Sequence, residues 1–434
     1  MLTVVGIVVL AAAMLLSIAL HEIGHLVPAK RFGVKVTQYM VGFGPTMWSR
    51  RRGETEYGVK WIPLGGYIRM IGMFPPKPGE DPNLVRASST GPWQNLMNDA
   101  RRQSLEEVGP GDEDRVFYKL PVRQKVVVML GGPSMNLLLA VLFLALALCG
   151  VGRAVVAPTT TVGAVSECVA PVTQTTCKPS DPKAPALAAG VRTGDRIVAI
   201  DGRAVQGWDD LQQRIRAHGA GPVDLVVERD GARKTLSVDL QATQRPTSAT
   251  DSTPVTVGFL GVSPKEVVTG RETLPVMQLP GVLGDYVTQT VGAVFNIPAK
   301  MVGVWHAAFG GGQRDLNGPI SVVGVSRIGG EVAAAPSLPL YDKVGYELTL
   351  IAGLNMALFV FNLVPLLPLD GGHVAGALFE GARRQVARWR GQRDPGYVDV
   401  AKMLPVAYGV ATLLIGMSVL LIYADIVNPV RFTG

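Results

Sequence analysis

The sequence predicts a polytopic α-helical membrane protein, with about four transmembrane helices, a membrane-associated β-hairpin and an extracytoplasmic α/β domain. Three observations carry this. Of 434 residues, 48% are hydrophobic and 17% charged, where a soluble domain has about 25% charged. Apolar segments at about Leu2–Ala29, Val126–Gly150, Val344–Leu367 and Met403–Val427 each approach the ~20 residues that a membrane helix needs. The formal charge of +7 is concentrated beside those segments. Lys30, Arg31, Lys35, Arg50, Arg51, Arg52, Lys60 and Arg69 follow the first; Arg383, Arg384, Arg388, Arg390 and Arg393 follow the third. Basic loops mark the cytoplasmic side, so both termini and Val151–Glu331 are expected outside. The same clustering argues against nucleic acid as a partner and for the lipid bilayer.

Residues 1–31 form the first span. It lacks a basic leader and a small-residue cleavage site, so it does not read as a signal peptide. Its polar end carries His21-Glu22-Ile23-Gly24-His25. Ionisable groups near hydrocarbon are costly and mark function. On a helix, His21 and His25 share a face and can grip one Zn²⁺, with Glu22 beside it as general base. If the helix leaves the membrane near Arg31, His25 and His21 lie ~9 and ~15 Å inside.

Residues 32–125 read as a cytoplasmic-side β-hairpin region with an insertion. Val41–Pro45 and Glu54–Met70 look extended, and apolar side chains alternate through Tyr57, Val59 and Trp61. Gly65 and Gly66 mark a turn or bulge before Tyr67. Phe74–Asp114 is polar and proline-rich without periodicity, as a flexible insertion would be. Residues 126–150 form the second span, opened by Leu130-Gly-Gly-Pro-Ser-Met-Asn136; small residues allow close helix approach, and Asn136 is expected in an interhelical hydrogen bond. Cys149 reads as a packing residue.

Residues 151–270 form the outer domain. Cys168 and Cys177 suit a bridge in an oxidising compartment, with two free thiols as the alternative. Ala186–Gly190 reads as a short helix, Arg196–Ile200 as a strand, Asp201-Gly202 as a hairpin turn, Trp208–His218 as an amphipathic helix, and Val223–Glu228 as a strand before the turn Arg229-Asp230-Gly231. This order and these words resemble a PDZ domain, which binds extended peptides by strand addition; a peptide is therefore a candidate ligand of its groove. Residues 271–343 are an amphipathic, interfacial region: Asp285–Phe309 reads as a helix interrupted at Pro298, with Trp305 at the membrane surface.

Residues 344–372 hold the third span and end in Asn362-Leu-Val-Pro365-Leu-Leu-Pro368-Leu-Asp370-Gly-Gly-His373. The prolines break the helix, and irregular backbone at membrane depth persists only where protein or a wet cavity receives it. A catalytic zinc site wants three protein ligands and an open position. Asp370 is the best third ligand and His373 the runner-up. Residues 373–402 are a cytoplasmic loop, and residues 403–434 the fourth span and tail.

The ordered set of His21-Glu-Ile-Gly-His25, Gly132–Asn136, one PDZ unit and Pro365–Gly371 resembles the site-2 protease family of zinc intramembrane metalloproteases, in its single-PDZ actinobacterial arrangement. The resemblance implies zinc held by His21, His25 and Asp370, with Glu22 activating water. It implies that Asn362 and the hairpin residues Tyr57, Val59, Trp61, Gly65, Gly66 and Tyr67 hold an unwound substrate. It further implies membrane-spanning substrates of the anti-sigma-factor type, with the PDZ unit gating access. The alternative is a non-catalytic PDZ membrane scaffold with structural zinc, against which stands Glu22, a base that structural zinc does not need.

Overall fold

The computed structural model describes residues 1–76, 99, 102, 104, 106–169, 177–178, 181–246, 254–312, 314–315, 318–336 and 338–430. They form two compact units: Met1–Gly152 with Thr273–Gly434, and Arg153–Glu272. Four helices of the first unit are long and apolar enough to cross a membrane, which makes the chain a multi-pass membrane protein with β-sheet regions.

Helix α1 is one uninterrupted rod, Leu2–Arg31. Gly6, Leu10, Ser17, Glu22, His25 and Ala29 are among its buried positions, a stripe of roughly helical period, while Val4, Val8 and Leu16 are exposed as a lipid-facing surface would be. Strands β1 (Val36–Arg52) and β2 (Thr55–Met70) pair antiparallel in two registers at once. Gln38–Val41 faces Arg69–Gly66 on one side and Glu56–Val59 on the other, and Trp48–Arg52 adds beyond Val59–Thr55. Two long strands thus fold into a small plate, bent where Gly42, Gly44 and Gly65 take φ of 93°, 83° and 113°. Gly66–Met70 is an edge of that plate. Tyr39 pins the plate to α1 by donating its hydroxyl to Ala19 O, 2.8 Å.

Most of the Phe74–Asp114 insertion lies outside the described residues. Its end is held: Lys35 pairs with Asp112 at 2.5 Å, and Arg115 just beyond pairs with Glu54 at 2.8 Å. Helix α2 (Val122–Ala145) continues as a wider turn through Leu146–Val151. It begins before the expected Val126 and so takes Lys125 with it. It crosses α1 where Gly24 meets Gly131; a Cβ on either would fall on the other's carbonyl group.

The second unit is a twisted antiparallel sheet. Its elements are β3 (Arg153–Val165), α3 (Pro185–Ala188), β4 (Arg196–Ile200), β5 (Arg203–Ala204), α4 (Trp208–His218), β6 (Gly221–Arg229), β7 (Ala232–Pro246), β8 (Pro254–Phe259) and β9 (Val262–Glu272). Strand order is β8-β7-β6-β4-β3-β9, with β5 on β4. Val162, Ile197, Leu211, Leu225, Val227 and Leu240 lie in its core. The turns at Asp201-Gly202 and Asp230-Gly231 have positive φ at both residues, the hairpin geometry that Asp-Gly favours. Cys168 and Cys177 are bridged, with Cα atoms 5.9 Å apart.

Buried Asp195 ties this unit's turn to its sheet. It accepts both Nε and Nη2 of Arg229 at 2.7 Å and the Arg192 N–H at 2.8 Å. The Arg229 guanidinium holds its carboxyl below the usual carboxylate range. A depressed acid stabilises the fold above its unfolded pKa of ~3.9 and loses that contribution as pH falls towards the folded value. Asp195→Asn should therefore lower the unit's melting temperature at neutral pH by on the order of 5–10 °C, with the gap to the native protein closing in acid. Proteolysis of the full chain across temperature and pH measures this; an unchanged midpoint at pH 7 would refute it.

The first unit resumes with α5 (Leu279–Phe295) and α6 (Ile297–Phe309), which break at Asn296 just ahead of Pro298. A glycine-rich stretch then forms α7 (Val322–Ala334), capped by Ser321 Oγ accepting the Val323 and Gly324 N–H groups. Its Gly329 and Gly330 press on Leu10 and Thr3 of α1, so packing offsets the ~1 kcal/mol that each glycine costs in a helix. Helix α8 (Leu340–Asn362) stops short of the expected Leu367. An irregular segment, 363–369, leads to α9 (Asp370–Trp389) and then α10 (Leu404–Val427). Asp370 thus opens a new helix and does not end the third span. Buried Asn355 joins α8 to α1 by donating to Ser17 Oγ, 3.0 Å.

Candidate active site

The crossing of α1 and α2 and the start of α9 meet at one point. Residues i and i+4 of α1 direct His21 and His25 to the same side. Gly132 of α2 passes over both rings; a Cβ there would fall on His25 Nε2 and on the His21 ring. Asp370 reaches the point because Gly371 and Gly372 let the first turn of α9 press against the backbone of Leu363–Leu367, where a Cβ on either would clash.

The three groups form a near-equilateral triangle. His21 Nε2 and His25 Nε2 are 3.2 Å apart, and Asp370 Oδ2 is 3.4 Å from each. Two ligands ~2.0–2.1 Å from a tetrahedral ion are separated by about 3.4 Å, so the triangle has the edge length of one face of such a site. Asp370 Oδ2 is buried and makes no hydrogen bond. Three lone pairs converging this closely suit a shared cation, and the residues therefore fit a metal.

Neighbours set the tautomers. His25 Nδ1 lies 2.8 Å from Val128 O, which can only accept, so the Nδ1 proton is there and Nε2 is free. His21 Nδ1 lies 3.1 Å from the Asn136 side-chain amide. A ring that offers Nε2 carries its proton on Nδ1, so with the metal bound the amide must present Oδ1 to it. The expected interhelical bond of Asn136 is thus present and lands on a candidate ligand.

Glu22 is 9% exposed and shares the field of His21, His25 and Asp370. It sits under the plate edge: a Cβ on Gly66 would come 2.9 Å from Glu22 Cγ and 3.1 Å from Ile18. Gly65 backs onto Phe43, whose ring stacks on Tyr67 at 6.1 Å. Tyr57 is elsewhere, in an inner strand, its hydroxyl accepting from Lys30 Nζ at 3.0 Å. Val59 and Trp61 are exposed, Trp61 by 66%. Asn362 is the half-buried last residue of α8 and makes no hydrogen bond to the triangle. His373 lies in the first turn of α9 and is not one of the converging ligands.

Sequence reading passed over the contact of Gly66 with Glu22, the Val128 carbonyl and the Ser17–Asn355 pair. The last left a signal: each is a lone polar residue within an apolar run, and such residues seek partners in lipid.

Peptidase family M50 matches residues 9–405. Zinc metalloprotease Rip1 of Mycobacterium tuberculosis is 39% identical over 445 residues, covering 99% of both chains. Rip1 of Mycolicibacterium smegmatis is 36% identical, covering 98% of both. Metalloprotease MmpA of Caulobacter vibrioides is 28% identical over 86% of this chain and 85% of its own. With a family match across most of its length and relatives of this identity end to end, the chain belongs to peptidase family M50, the site-2 metalloproteases.

Proposed function

We propose that this protein is a zinc-dependent intramembrane protease that cuts transmembrane segments of membrane-anchored regulators, of the anti-sigma-factor type. The observation that carries the reading is the triangle that Asp370, at the start of α9, forms with His21 and His25 of the membrane-length helix α1, with Glu22 beside it. These three residues would hold the zinc. When bound, zinc supplies Lewis acidity to water and to a scissile carbonyl.

The chain's own groups do the rest. Val128 O and Asn136 hold the imidazole protons on Nδ1. Glu22 takes a proton from the attacking water and delivers it to the leaving nitrogen. A helical substrate hides its carbonyls, so a segment must open first. The edge strand Gly66–Met70 supports this step, since its outer side pairs with no other strand among the described residues and so offers a place for strand addition, and its first residue lies against Glu22. Gly65, Gly66 and Tyr67 stand on that edge, while Tyr57, Val59, Trp61 and Asn362 would act further along the opened segment. The basic loops support a cytoplasmic location for the plate and for residues 373–402, with both termini outside.

The second unit we read as an extracytoplasmic PDZ domain that filters substrates by size. Two matching Asp-Gly turns and the amphipathic helix Trp208–His218 support this. Its ends suit a clean test, because Arg153 and Glu272 pair directly. Replacing 153–272 by a short linker should let substrates with untrimmed outer domains be cut. Loss of cleavage of trimmed substrates, with the protein still folded, would make the unit a recruiter. For the activity itself, membrane fragments from cells with native protein and with Glu22→Gln should differ in single-span proteins that persist only in the variant. Identical fragment sets would refute intramembrane cleavage.

A further inference from the structure

Helix α9 runs for 20 residues from Asp370 to Trp389. One face packs on the inner end of α2. There Glu380 and Lys125 close a buried ion pair at 2.9 Å, and Gly381 lies against Val122, the first residue of that span. Ala377 and Ala387 are buried on the same side. At 100° per residue, the opposite face presents Leu378, Phe379, Val386 and Trp389, exposed by 56%, 61%, 40% and 78%.

The arginines around this helix divide into two groups. Arg383 donates to the carbonyls of Pro395, Gly396 and Tyr397, and Arg384 pairs with Glu380 and Asp394. They fold the following loop back on the helix. Arg388, Arg390 and Arg393 are exposed and have no ion pair among the described residues. An apolar stripe is therefore flanked, at its far end, by uncommitted cations.

The occupant of such a face is set by where it lies. The helix is not among those apolar enough to span, yet it begins at the metal triangle, which lies below the headgroups if α1 leaves the membrane near Arg31, and it leaves alongside the end of α2 that the basic loops make cytoplasmic. Its stripe therefore passes from hydrocarbon into the interface. Leucine and phenylalanine come first, tryptophan at the exit, and arginine after it, which is the order of environments in a leaflet. Arginine beyond an interfacial tryptophan meets phosphate, and anionic lipid adds surface attraction.

We infer that α9 lies in the cytoplasmic leaflet, with Leu378, Phe379, Val386 and Trp389 among acyl chains and Arg388, Arg390 and Arg393 on anionic headgroups, so that the lipid surface steadies the helix that carries Asp370. The lipid contact stands independently of the site; its link to zinc rests on the proposed ligand role of Asp370.

The test uses the full-length protein in phosphatidylcholine vesicles, with and without phosphatidylglycerol, and with brominated acyl chains. The Trp389 signal is the fluorescence difference between the native protein and Trp389→Phe. Bromine should quench it. Phosphatidylglycerol should slow chelator extraction of zinc several-fold, on the scale of the roughly fivefold that one arginine gains at an anionic surface. The combined variant Arg388→Gln, Arg390→Gln, Arg393→Gln should keep its zinc in phosphatidylcholine and lose the phosphatidylglycerol effect. An unquenched Trp389 would overturn the lipid assignment and give the face to a protein or a second copy. A phosphatidylglycerol effect that survives in the combined variant would overturn the role of these arginines. Quenching with no effect on zinc extraction would overturn the link to Asp370. Failure of the ligand reading shows separately, as full zinc retention in Asp370→Asn.

Discussion

Glu22→Gln is expected to keep zinc and to lose about 10²–10⁴-fold in cleavage rate, the range that a positioned general base contributes. The substitution keeps the volume of the side chain under Gly66, so the plate edge and α1 stay in contact. Glu22 is outside the triangle of His21, His25 and Asp370, so the metal should be unaffected. What is lost is a carboxylate that stands beside the triangle without being one of its corners, and an amide does not accept the proton of an attacking water. Elemental analysis gives the zinc content, and single-turnover cleavage of a membrane-reconstituted substrate gives the rate. Cleavage near the native rate would remove Glu22 from the chemistry.

Asp370→Asn should lower zinc affinity and activity together. Loss of an outer-shell partner costs 10–100-fold in metal affinity, and loss of a charged direct ligand should exceed about 100-fold. The amide is nearly isosteric, so the first turn of α9 can still rest on Leu363–Leu367, and the effect isolates the charge at Oδ2. His373→Asn is the control: its ring is outside the triangle, and zinc should remain. Competition with a chelator ranks the variants. Zinc loss in His373→Asn with retention in Asp370→Asn would exchange the two assignments.

Much of the site was legible because its parts carry strong local signals. Imidazoles at i and i+4 closing an apolar run are costly in a membrane helix unless a metal joins them, and Asp370 follows a pair of prolines that a span would otherwise avoid. The hairpin turns at Asp201 and Asp230 were legible for the same reason, since Asp-Gly encodes positive φ locally. What stayed hidden depends on partners distant in sequence. Helix α7 has glycines that argue against a helix until α1 is laid on them. The plate looks like a simple hairpin until Gly42, Gly44 and Gly65 bend each strand enough to be paired twice. The outer strands β7 to β9 of the second unit find their register only in the assembled sheet. The expected end of α8 fell too late because Leu363, Val364, Leu366 and Leu367 are apolar, and composition alone does not distinguish a helix from an irregular apolar segment.

At Gly24, Gly131 and Gly132 the two helices that carry the site meet through bare backbone. The approach leaves no room for a side chain at any of the three, so substitution there has almost nothing on which to act. A methyl at position 132 would displace two candidate ligands together, and one at position 24 or 131 would part the helices that carry them. A protease altered in what it accepts should therefore be reached more readily by changing the plate, where side chains such as Trp61 stand exposed, than by changing this crossing.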